Sequence, residues 1–132
     1  MSSRLPIRVV LADDHSMVRE ALARTLEDGG AITVVGQASD GFEVLGIVES
    51  TDPEIVVLDY SMPNLDAPGV VETLLRKDSS IKILVLTVHE NIHYAMRVLE
   101  SGAHGYLIKS AAVEELVAAI QIVQSGGIYI SP

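Results

Sequence analysis

The chain of 132 residues contains no cysteine. Disulfide bonds and thiolate metal sites are therefore excluded, and the redox compartment is unconstrained. No apolar run approaches the ~18 residues that a membrane-spanning helix requires, and no secretory signal pattern opens the chain. These absences predict a soluble, cytoplasmic domain that does not contact a membrane.

Positive charge is also scarce. Nine Lys and Arg residues stand against 18 Asp and Glu residues, which gives a formal net charge of −9. Because phosphate contacts supply most non-specific affinity for nucleic acid, such a folded domain is not expected to bind DNA or RNA by itself. The acidity suits a metal cation or a basic protein surface, although an ordinary solubilising surface explains it equally well.

The hydrophobic residues, 48% of the chain, are grouped in continuous Val/Ile/Leu runs. Such runs are typical of parallel strands that are buried on both faces of a sheet. Strand-like and helix-like segments alternate five times. Strands are predicted over residues 7–12, 32–38, 54–59, 81–86 and 105–108. Helices are predicted over residues 15–27, 40–50, 67–77, 91–101 and 112–125. This alternation predicts one α/β domain with a parallel sheet, right-handed crossovers and helices on both faces.

Local patterns refine these helices. Asp40 is a candidate N-cap of the second helix, and Ser110 a possible cap of the last one. Gly102 suits the left-handed position after the fourth helix. Helical spacing predicts inward faces that contain Phe42, Leu45 and Val48 in the second helix and Ile92, Ala95, Met96 and Leu99 in the fourth.

Polar residues end the apolar runs. Asp13 and Asp14 follow the first run, Asp59 ends the third, Thr87 the fourth and Lys109 the fifth. In a parallel sheet these side chains emerge at one edge, where ligands of such folds bind. Three carboxylates, one hydroxyl and one ammonium group there predict a site for a divalent cation and a phosphoryl group.

The chemistry of this set explains the prediction. Two carboxylates about 4 Å apart repel by about 4 kcal/mol at an effective dielectric constant near 20. A hard cation such as Mg²⁺ relieves this repulsion with carboxylates, waters and a phosphate as ligands. Asp59 is the candidate nucleophile because a carboxylate can form an acyl phosphate. Lys109 and Thr87 can contact phosphate oxygens. Each residue alone is more often a cap or a surface residue, so only the combination is specific.

These residues resemble the receiver domain of two-component response regulators. The signature is Asp13-Asp14, Asp59 with Met62-Pro63 after it, Thr87, and residues 105–109 (Gly-Tyr-Leu-Ile-Lys). Residues 11–15, 102–109 and 126–132 are similar to the NarL/FixJ subfamily, which has a LuxR-type helix-turn-helix output domain. The resemblance covers essentially the whole chain.

The resemblance implies a flavodoxin-like (βα)5 three-layer sandwich with a five-stranded parallel sheet in the order 2-1-3-4-5. Residues 1–128 would form the receiver domain. Residues 129–132 would begin a linker to a DNA-binding domain that this chain lacks, although a stand-alone receiver is the alternative.

The resemblance also implies a metal and a donor. Asp59 would accept a phosphoryl group from the phosphohistidine of a sensor histidine kinase. Asp14 and Asp59 would bind Mg²⁺ (or Mn²⁺) directly, together with the backbone carbonyl of Ser61, and Asp13 would act through a water. The domain would be a phosphoacceptor with slow self-phosphorylation and self-dephosphorylation, not an enzyme.

The implied switch uses three further residues. Lys109 would pair with Asp59 or its phosphate, Thr87 would move towards the phosphate, and Tyr106 would rotate inward behind it. This change would control the chain's own DNA-binding domain in transcription regulation, and a homodimer is one assembly that could carry it.

The sequence departs from the commoner receiver pattern at several positions. Residues 67–69 (Ala-Pro-Gly) predict an altered loop after Asp59. Val88 could narrow access to the phosphate. Ser61 and His89 can flank the attacking water, so the lifetime of the phosphorylated state is not predictable. Ser110 replaces a frequent proline, which makes a trans peptide bond the default.

Three other functions are weighed against this one. A receiver-like interaction module could signal without phosphorylation, although it would not need all five site residues. An aspartyl-phosphate phosphatase of the haloacid dehalogenase type would need an acid where Ser61 stands. A flavodoxin is disfavoured because Asp13 and Asp14 would repel a flavin phosphate.

Overall fold

The computed structural model describes residues 5–88 and 92–131. The strands are β1 (Ile7–Ala12), β2 (Ile32–Ala38), β3 (Ile55–Asp59), β4 (Lys82–Thr87), β5 (Gly105–Ile108) and β6 (Tyr129–Ile130). The helices are α1 (Ser16–Asp28), α2 (Gly41–Thr51), α3 (Ala67–Lys77), α4 (Ile92–Glu100) and α5 (Ala112–Gln124), and a 3₁₀ turn at Lys109–Ala111 leads into α5. Every predicted strand and helix is therefore present. The predicted start of the fourth helix at Asn91 lies outside the described residues.

The sheet is parallel throughout, with the order β2-β1-β3-β4-β5-β6. The predicted order 2-1-3-4-5 is confirmed, but the predicted count of five strands is wrong. The sixth strand lies beside β5, with Gly105 opposite Tyr129 and Tyr106 opposite Ile130. Two residues are too few to show a hydrophobic period, so this strand depends on backbone pairing with an edge that only the folded sheet provides.

The core lies in two layers on opposite faces of the sheet. Alternate residues of β3 show the division. Val56 and Leu58 pack on the face of the sheet that is covered by α2, α3 and α4 (the α2–α4 side), whereas Ile55 and Val57 pack on the face covered by α1 and α5. All four side chains are fully buried. Burial of such a side chain stabilises the fold by roughly 1.5–3 kcal/mol, so the central strands hold the edge that carries the polar residues in place.

The inward faces of two helices differ from prediction. In α2, Phe42 is 61% exposed and Val44 is buried instead. In α4, Ile92 and Met96 are exposed, and Ala95 and Val98 pack against the core. The small or branched side chains form the stripe that touches the sheet, and the long side chains flank it.

The helix ends follow local chemistry only in part. The Asp40 side chain accepts a hydrogen bond from the Glu43 N–H at 2.8 Å, which confirms the predicted N-cap. Gly102 has the expected positive φ, at +111°. The predicted cap at Ser110 is wrong, because Ser110 lies inside the 3₁₀ turn and Ala111 occupies the N-cap position of α5. None of the helices formed by residues 5–88 and 92–131 is both long and apolar enough to cross a bilayer.

Candidate functional site

The strand register brings the predicted polar residues to one edge of the sheet. Leu58 lies beside Ala12, and Ile108 lies beside Thr87. Asp13, Asp59 and Lys109 directly follow Ala12, Leu58 and Ile108. They are therefore neighbours of one another and of Thr87 at the carboxyl ends of β1, β3, β4 and β5. The predicted edge site is thus assembled as one cluster around Asp13, Asp59 and Lys109.

Lys109 joins the two buried carboxylates. Its Nζ lies 2.8 Å from Asp13 Oδ2 and 3.1 Å from Asp59 Oδ2. The side chains of Asp13 and Asp59 are only 1% and 3% exposed. Among the described residues, Asp13 Oδ2 has no hydrogen-bond partner of acceptable geometry. Its contact with Lys109 is therefore an ion pair whose geometry is not that of a hydrogen bond. This buried oxygen keeps acceptor capacity for a cation or a water.

Ionisation of Asp59 is disfavoured in the fold. Burial raises the pKa of this carboxyl above its ordinary value of 3.8, and repulsion from Asp13 raises it further. The hydrogen bond and charge of Lys109 and the backbone N–H of Ser61 oppose this rise without cancelling it. Additional positive charge at the site would therefore favour the carboxylate form that a nucleophile needs.

Lys109 itself is held in its charged form. Burial disfavours the ammonium group, but contacts with and charges of Asp13 and Asp59 outweigh it and raise the Lys109 pKa. The side chain is therefore a fixed positive charge between two carboxylates, suited to pairing with phosphate oxygens.

Asp14 and His15 form the outer rim of the cluster. Their side chains are 33% and 68% exposed, in contrast to Asp13. His15 Nδ1 lies 3.1 Å from Asp14 Oδ1 and 3.4 Å from Asp13 Oδ1. The motif reading of the sequence did not include His15 in the site, although its position directly after the acidic pair was a usable signal.

The donor set fits a divalent cation. One ligand atom from each of Asp13, Asp14, His15 and Asp59 can be chosen such that all four lie within 4.8 Å of one another. Carboxylate oxygens are the ligands that Mg²⁺ and Mn²⁺ prefer. The buried oxygen of Asp13 without a hydrogen-bond partner supports the same assignment.

The loop after β3 is fixed by its contacts. The Ser61 N–H donates to Asp59 Oδ1 at 3.3 Å, which keeps the backbone of Ser61, a predicted site residue, close to the Asp59 carboxylate. Gly41 N–H donates to the Pro63 carbonyl at 3.3 Å and ties the loop to α2. The Ala-Pro-Gly segment at residues 67–69 forms the first turn of α3, capped by the Asp66 side chain, which accepts from the Gly69 N–H at 2.9 Å. These three residues therefore belong to the helix and not to the loop.

The proposed switch residues lie on neighbouring strands. Thr87 is fully buried at the end of β4, and the Tyr106 ring is buried in the core on the α2–α4 side of the sheet. Val88, directly after Thr87, is exposed, and its predicted effect on access stays a prediction. His89 lies outside the described residues.

An aromatic contact that the sequence did not predict links the site to α4. The rings of Tyr60 and Tyr94 lie edge to face, with centroids 5.2 Å apart and planes 86° apart. The backbone N–H of Tyr60 donates to the Leu86 carbonyl at 2.7 Å. Tyr60 directly follows Asp59, so the end of β3 is linked to a helix on the α2–α4 side.

Comparisons with known proteins agree with this fold. Residues 9–121 match the model of the response regulator receiver domain, and the chain belongs to this family. It is 40% identical over 126 residues to the response regulator GacA of Pseudomonas viridiflava, an alignment that covers 96% of this chain and 59% of GacA. The chain thus spans about three fifths of the length of that relative.

Solved structures give the same result. A two-component response regulator of the LuxR family from Aurantimonas sp. SI85-9A1 is similar with a TM-score of 0.92 and 34% identity, over 96% of this chain and 91% of that one. The RcsB response regulator of Salmonella typhimurium, described for its interaction with DNA, is similar with a TM-score of 0.87 and 26% identity, over 95% of this chain and 63% of that one. Similarity to these relatives supports the assignment of the chain to the NarL/FixJ-type subfamily and of its fold to the flavodoxin-like receivers.

Proposed function

We propose that Asp59 accepts a phosphoryl group from the phosphohistidine of a sensor histidine kinase. The observation that carries this proposal is the Lys109 ammonium group, which contacts both Asp59 and Asp13 at the carboxyl edge of the sheet. The same edge is where the register places Thr87. A buried carboxylate beside a fixed cation and a hydroxyl group is suited to forming and holding an acyl phosphate.

The transfer balances without a further reactant. A carboxylate oxygen of Asp59 attacks phosphorus, an O–P bond forms, and the N–P bond to the kinase imidazole breaks. The imidazole keeps the electron pair of that bond and takes up a proton. Lys109 pairs with a phosphoryl oxygen in the product and Thr87 donates to another, so the chain's own side chains take up the new negative charge.

The metal site proposed for this reaction contains Asp14, Asp59 and the Ser61 backbone carbonyl as direct ligands, with Asp13 acting through a water. Mg²⁺ or Mn²⁺, when bound, supplies charge neutralisation for the phosphoryl oxygens. The buried pair of Asp13 and Asp59 supports this assignment, since Lys109 is one positive charge between two carboxylates.

The proposed output is transcription regulation. Thr87 and Tyr106 would respond to the phosphate, and the change would reach a DNA-binding domain of the full protein. Residues 1–128 would be the receiver domain, and residues 129–132 would begin the linker. DNA would be contacted only through the output domain, with a homodimer as a possible assembly and the cytoplasm as the compartment. The length of GacA and the DNA interaction described for RcsB support this proposal.

A module that works without phosphorylation is not favoured. Such a module has no need for a half-buried Lys109 between the buried carboxylates of Asp13 and Asp59, because burial of charged groups is costly. Slow self-phosphorylation and self-dephosphorylation are part of the same proposal, and the domain is a regulatory phosphoacceptor.

The test is intact-protein mass spectrometry after incubation with acetyl phosphate and Mg²⁺. One added phosphoryl group is expected on the wild-type chain. It should be absent in Asp59→Ala and in the presence of a chelator. The matched control Asp66→Ala removes a nearby carboxylate that caps α3 and should still be phosphorylated.

An adduct that persists in Asp59→Ala would contradict the assignment of the nucleophile. If a folded wild-type chain gains no phosphoryl group, binding of beryllofluoride with Mg²⁺ distinguishes the remaining cases. Binding would show that Val88 and the loop exclude the donor, and no binding would favour the phosphorylation-independent module.

A further inference from the structure

We propose that strand β6 responds to the position of Tyr106, so that a phosphoryl group on Asp59 tightens β6 onto the edge of the sheet. This inference rests on the proposed function and deepens it, because it names the segment that receives the signal from the proposed switch. That segment consists of residues 128–131, which lie shortly after the end of α5 and contain β6.

Strand β6 lies directly beside the proposed switch residue. Tyr106 is opposite Val85 of β4 on one side and opposite Ile130 of β6 on the other. Residues opposite each other in neighbouring parallel strands point to the same face of the sheet, and the strands are about 4.8 Å apart. The Tyr106 side chain therefore has the fully buried Val85 on its inner side and Ile130 on its outer side.

An outward rotation of the Tyr106 ring needs the space on this outer side. The residue is only 4% exposed, although β5 would be the edge of the sheet if β6 were released. Movement of the ring towards Val85 is blocked, because the core is close-packed. A ring that leaves the core moves towards the sheet edge and meets Ile130. Docked β6 therefore favours the inward ring, and an outward ring favours the release of β6.

The backbone of β6 is bonded to the same part of β5. The Ser131 N–H donates to the Tyr106 carbonyl at 2.8 Å, and the Tyr129 N–H donates to the His104 carbonyl at 3.1 Å. One of the two acceptors thus belongs to Tyr106 itself. A backbone shift that accompanies the rotation of Tyr106 would reach β6 directly, without passing through another element.

The attachment of β6 is weak enough to respond. Of the described residues after α5, only Tyr129 and Ile130 pair with β5, and the Tyr129 hydroxyl adds a bond to Glu115. Ile128 and Ile130 are 66% and 54% exposed, so the segment buries little apolar area. Segments with few buried contacts open locally at a small free-energy cost. A coupling of ordinary size, about 5- to 150-fold in an equilibrium constant, is then sufficient to change the docked population.

Thermodynamic linkage makes this coupling reciprocal. If a phosphoryl group favours the inward Tyr106 ring and thereby docked β6, docked β6 must favour binding of that group by the same factor. Loss of the Ile130 side chain should therefore weaken binding at Asp59. A segment that is attached to β5 without being coupled to Tyr106 would have no such effect.

The experiment uses beryllofluoride with Mg²⁺ as a mimic of the phosphoryl group, on the whole chain. Amide hydrogen exchange at Tyr129 and Ser131 is followed by NMR with and without the mimic, and the affinity for the mimic is measured by titration. Ile130→Ala removes the side chain opposite Tyr106. The matched control Ile128→Ala removes a similarly exposed isoleucine that lies outside the paired residues. Tyr106→Leu replaces the ring with another apolar side chain.

In the wild type, the mimic should slow exchange at both amides about tenfold. Ile130→Ala should weaken binding of the mimic about fivefold, and Ile128→Ala by less than about twofold. Tyr106→Leu should still bind the mimic, but exchange at the two amides should then slow by less than about twofold. This variant separates coupling through Tyr106 from a general stabilisation of the fold by the bound mimic.

Three results in folded chains that bind the mimic would overturn the inference and leave the phosphoacceptor role of Asp59 intact. These are unchanged exchange at both amides in the wild type, equal losses of affinity in the two isoleucine variants, and undiminished slowing in Tyr106→Leu. A folded wild-type chain that does not bind the mimic would overturn the inference together with the proposed phosphoryl site.

Discussion

The carboxyl group of Asp59 illustrates, for a single residue, how the proposed function and stability oppose each other. It is buried beside a second carboxylate, and its pKa is raised by burial and by Asp13. Between the unfolded value of 3.8 and the raised value, the folded state binds more protons than the unfolded state. The free energy of unfolding therefore decreases as the pH rises through that interval. Without a cation, ionised Asp59 destabilises the fold at neutral pH.

The variant Asp59→Asn should therefore be more stable than the wild type. In chelator at pH 7.5 we expect a gain of about 1 kcal/mol in the free energy of unfolding, as is common when a strained functional group is replaced. The gain should shrink as the pH is lowered through the raised pKa towards 3.8, because the wild-type carboxyl becomes protonated in the folded state. Urea unfolding at several pH values measures both effects. A variant less stable than the wild type at pH 7.5 would show that the ion pair with Lys109 outweighs burial and repulsion.

The acidic residues also show what a motif captures. Asp13, Asp14, Asp59 and Lys109 were predicted together because each ends an apolar run, and the register of parallel strands then places them side by side. His15 was not predicted as a site residue, because a histidine after a strand end carries no periodic signal. The approach of its Nδ1 to Asp14 Oδ1, at 3.1 Å, is a property of the folded turn.

Among the strands and α-helices formed by residues 5–88 and 92–131, β6 is the one that the sequence did not predict. It is held by backbone bonds, since Tyr129 N–H donates to the His104 carbonyl at 3.1 Å and Ser131 N–H donates to the Tyr106 carbonyl at 2.8 Å. A side-chain bond adds to them, because the Tyr129 hydroxyl donates to Glu115 Oε1 of α5 at 2.5 Å. The strand thus connects the proposed switch strand β5 with α5.

The variant Tyr129→Phe should weaken this strand without disrupting the core. Loss of one partly exposed hydrogen bond to a carboxylate costs about 1 kcal/mol. Faster amide hydrogen exchange is expected at Tyr129 and Ser131, with unchanged protection in β3 and β4. Glu115→Gln keeps an acceptor oxygen and serves as the control. Unchanged exchange in Tyr129→Phe would mean that backbone pairing alone holds β6.

The helices show a similar limit of periodicity. The 3.6-residue pattern located all five helices but assigned Phe42, Ile92 and Met96 to inward faces where the structure exposes them. An amphipathic helix has a broad apolar side, and only the part of it that fits between the neighbouring helices packs against the sheet. In α2 and α4 the space admits Val44, Ala95 and Val98.

For the molecule as a whole, acidity and the proposed metal site are linked. The chain has a formal net charge of −9, and the carboxylates of Asp13, Asp14 and Asp59 meet at one edge of the sheet. A cation that binds the folded state but not the unfolded chain stabilises the fold by mass action. The edge is therefore expected to be the part of the molecule whose stability depends most on divalent ions.

We expect Mg²⁺ at one hundred times its dissociation constant to raise the free energy of unfolding by about 2.7 kcal/mol. Urea unfolding with and without Mg²⁺, at matched ionic strength in NaCl, measures this change. The increase should largely disappear in Asp14→Asn. An equal increase in that variant would indicate screening of the general negative charge and no specific site.

The sequence by itself determined the α/β class, five parallel strands and the residues that meet at their carboxyl ends, whereas the order 2-1-3-4-5 came from the resemblance to receiver domains. It could do so because apolar runs, turn residues and strand-end positions are local signals that topology converts into neighbours. The tertiary structure alone decided the pairing of β6, the exposure of Phe42 and the position of His15 against the carboxylates. Each of these depends on distances between segments that are far apart in the chain or on the rotamer of one side chain, and no local pattern encodes them.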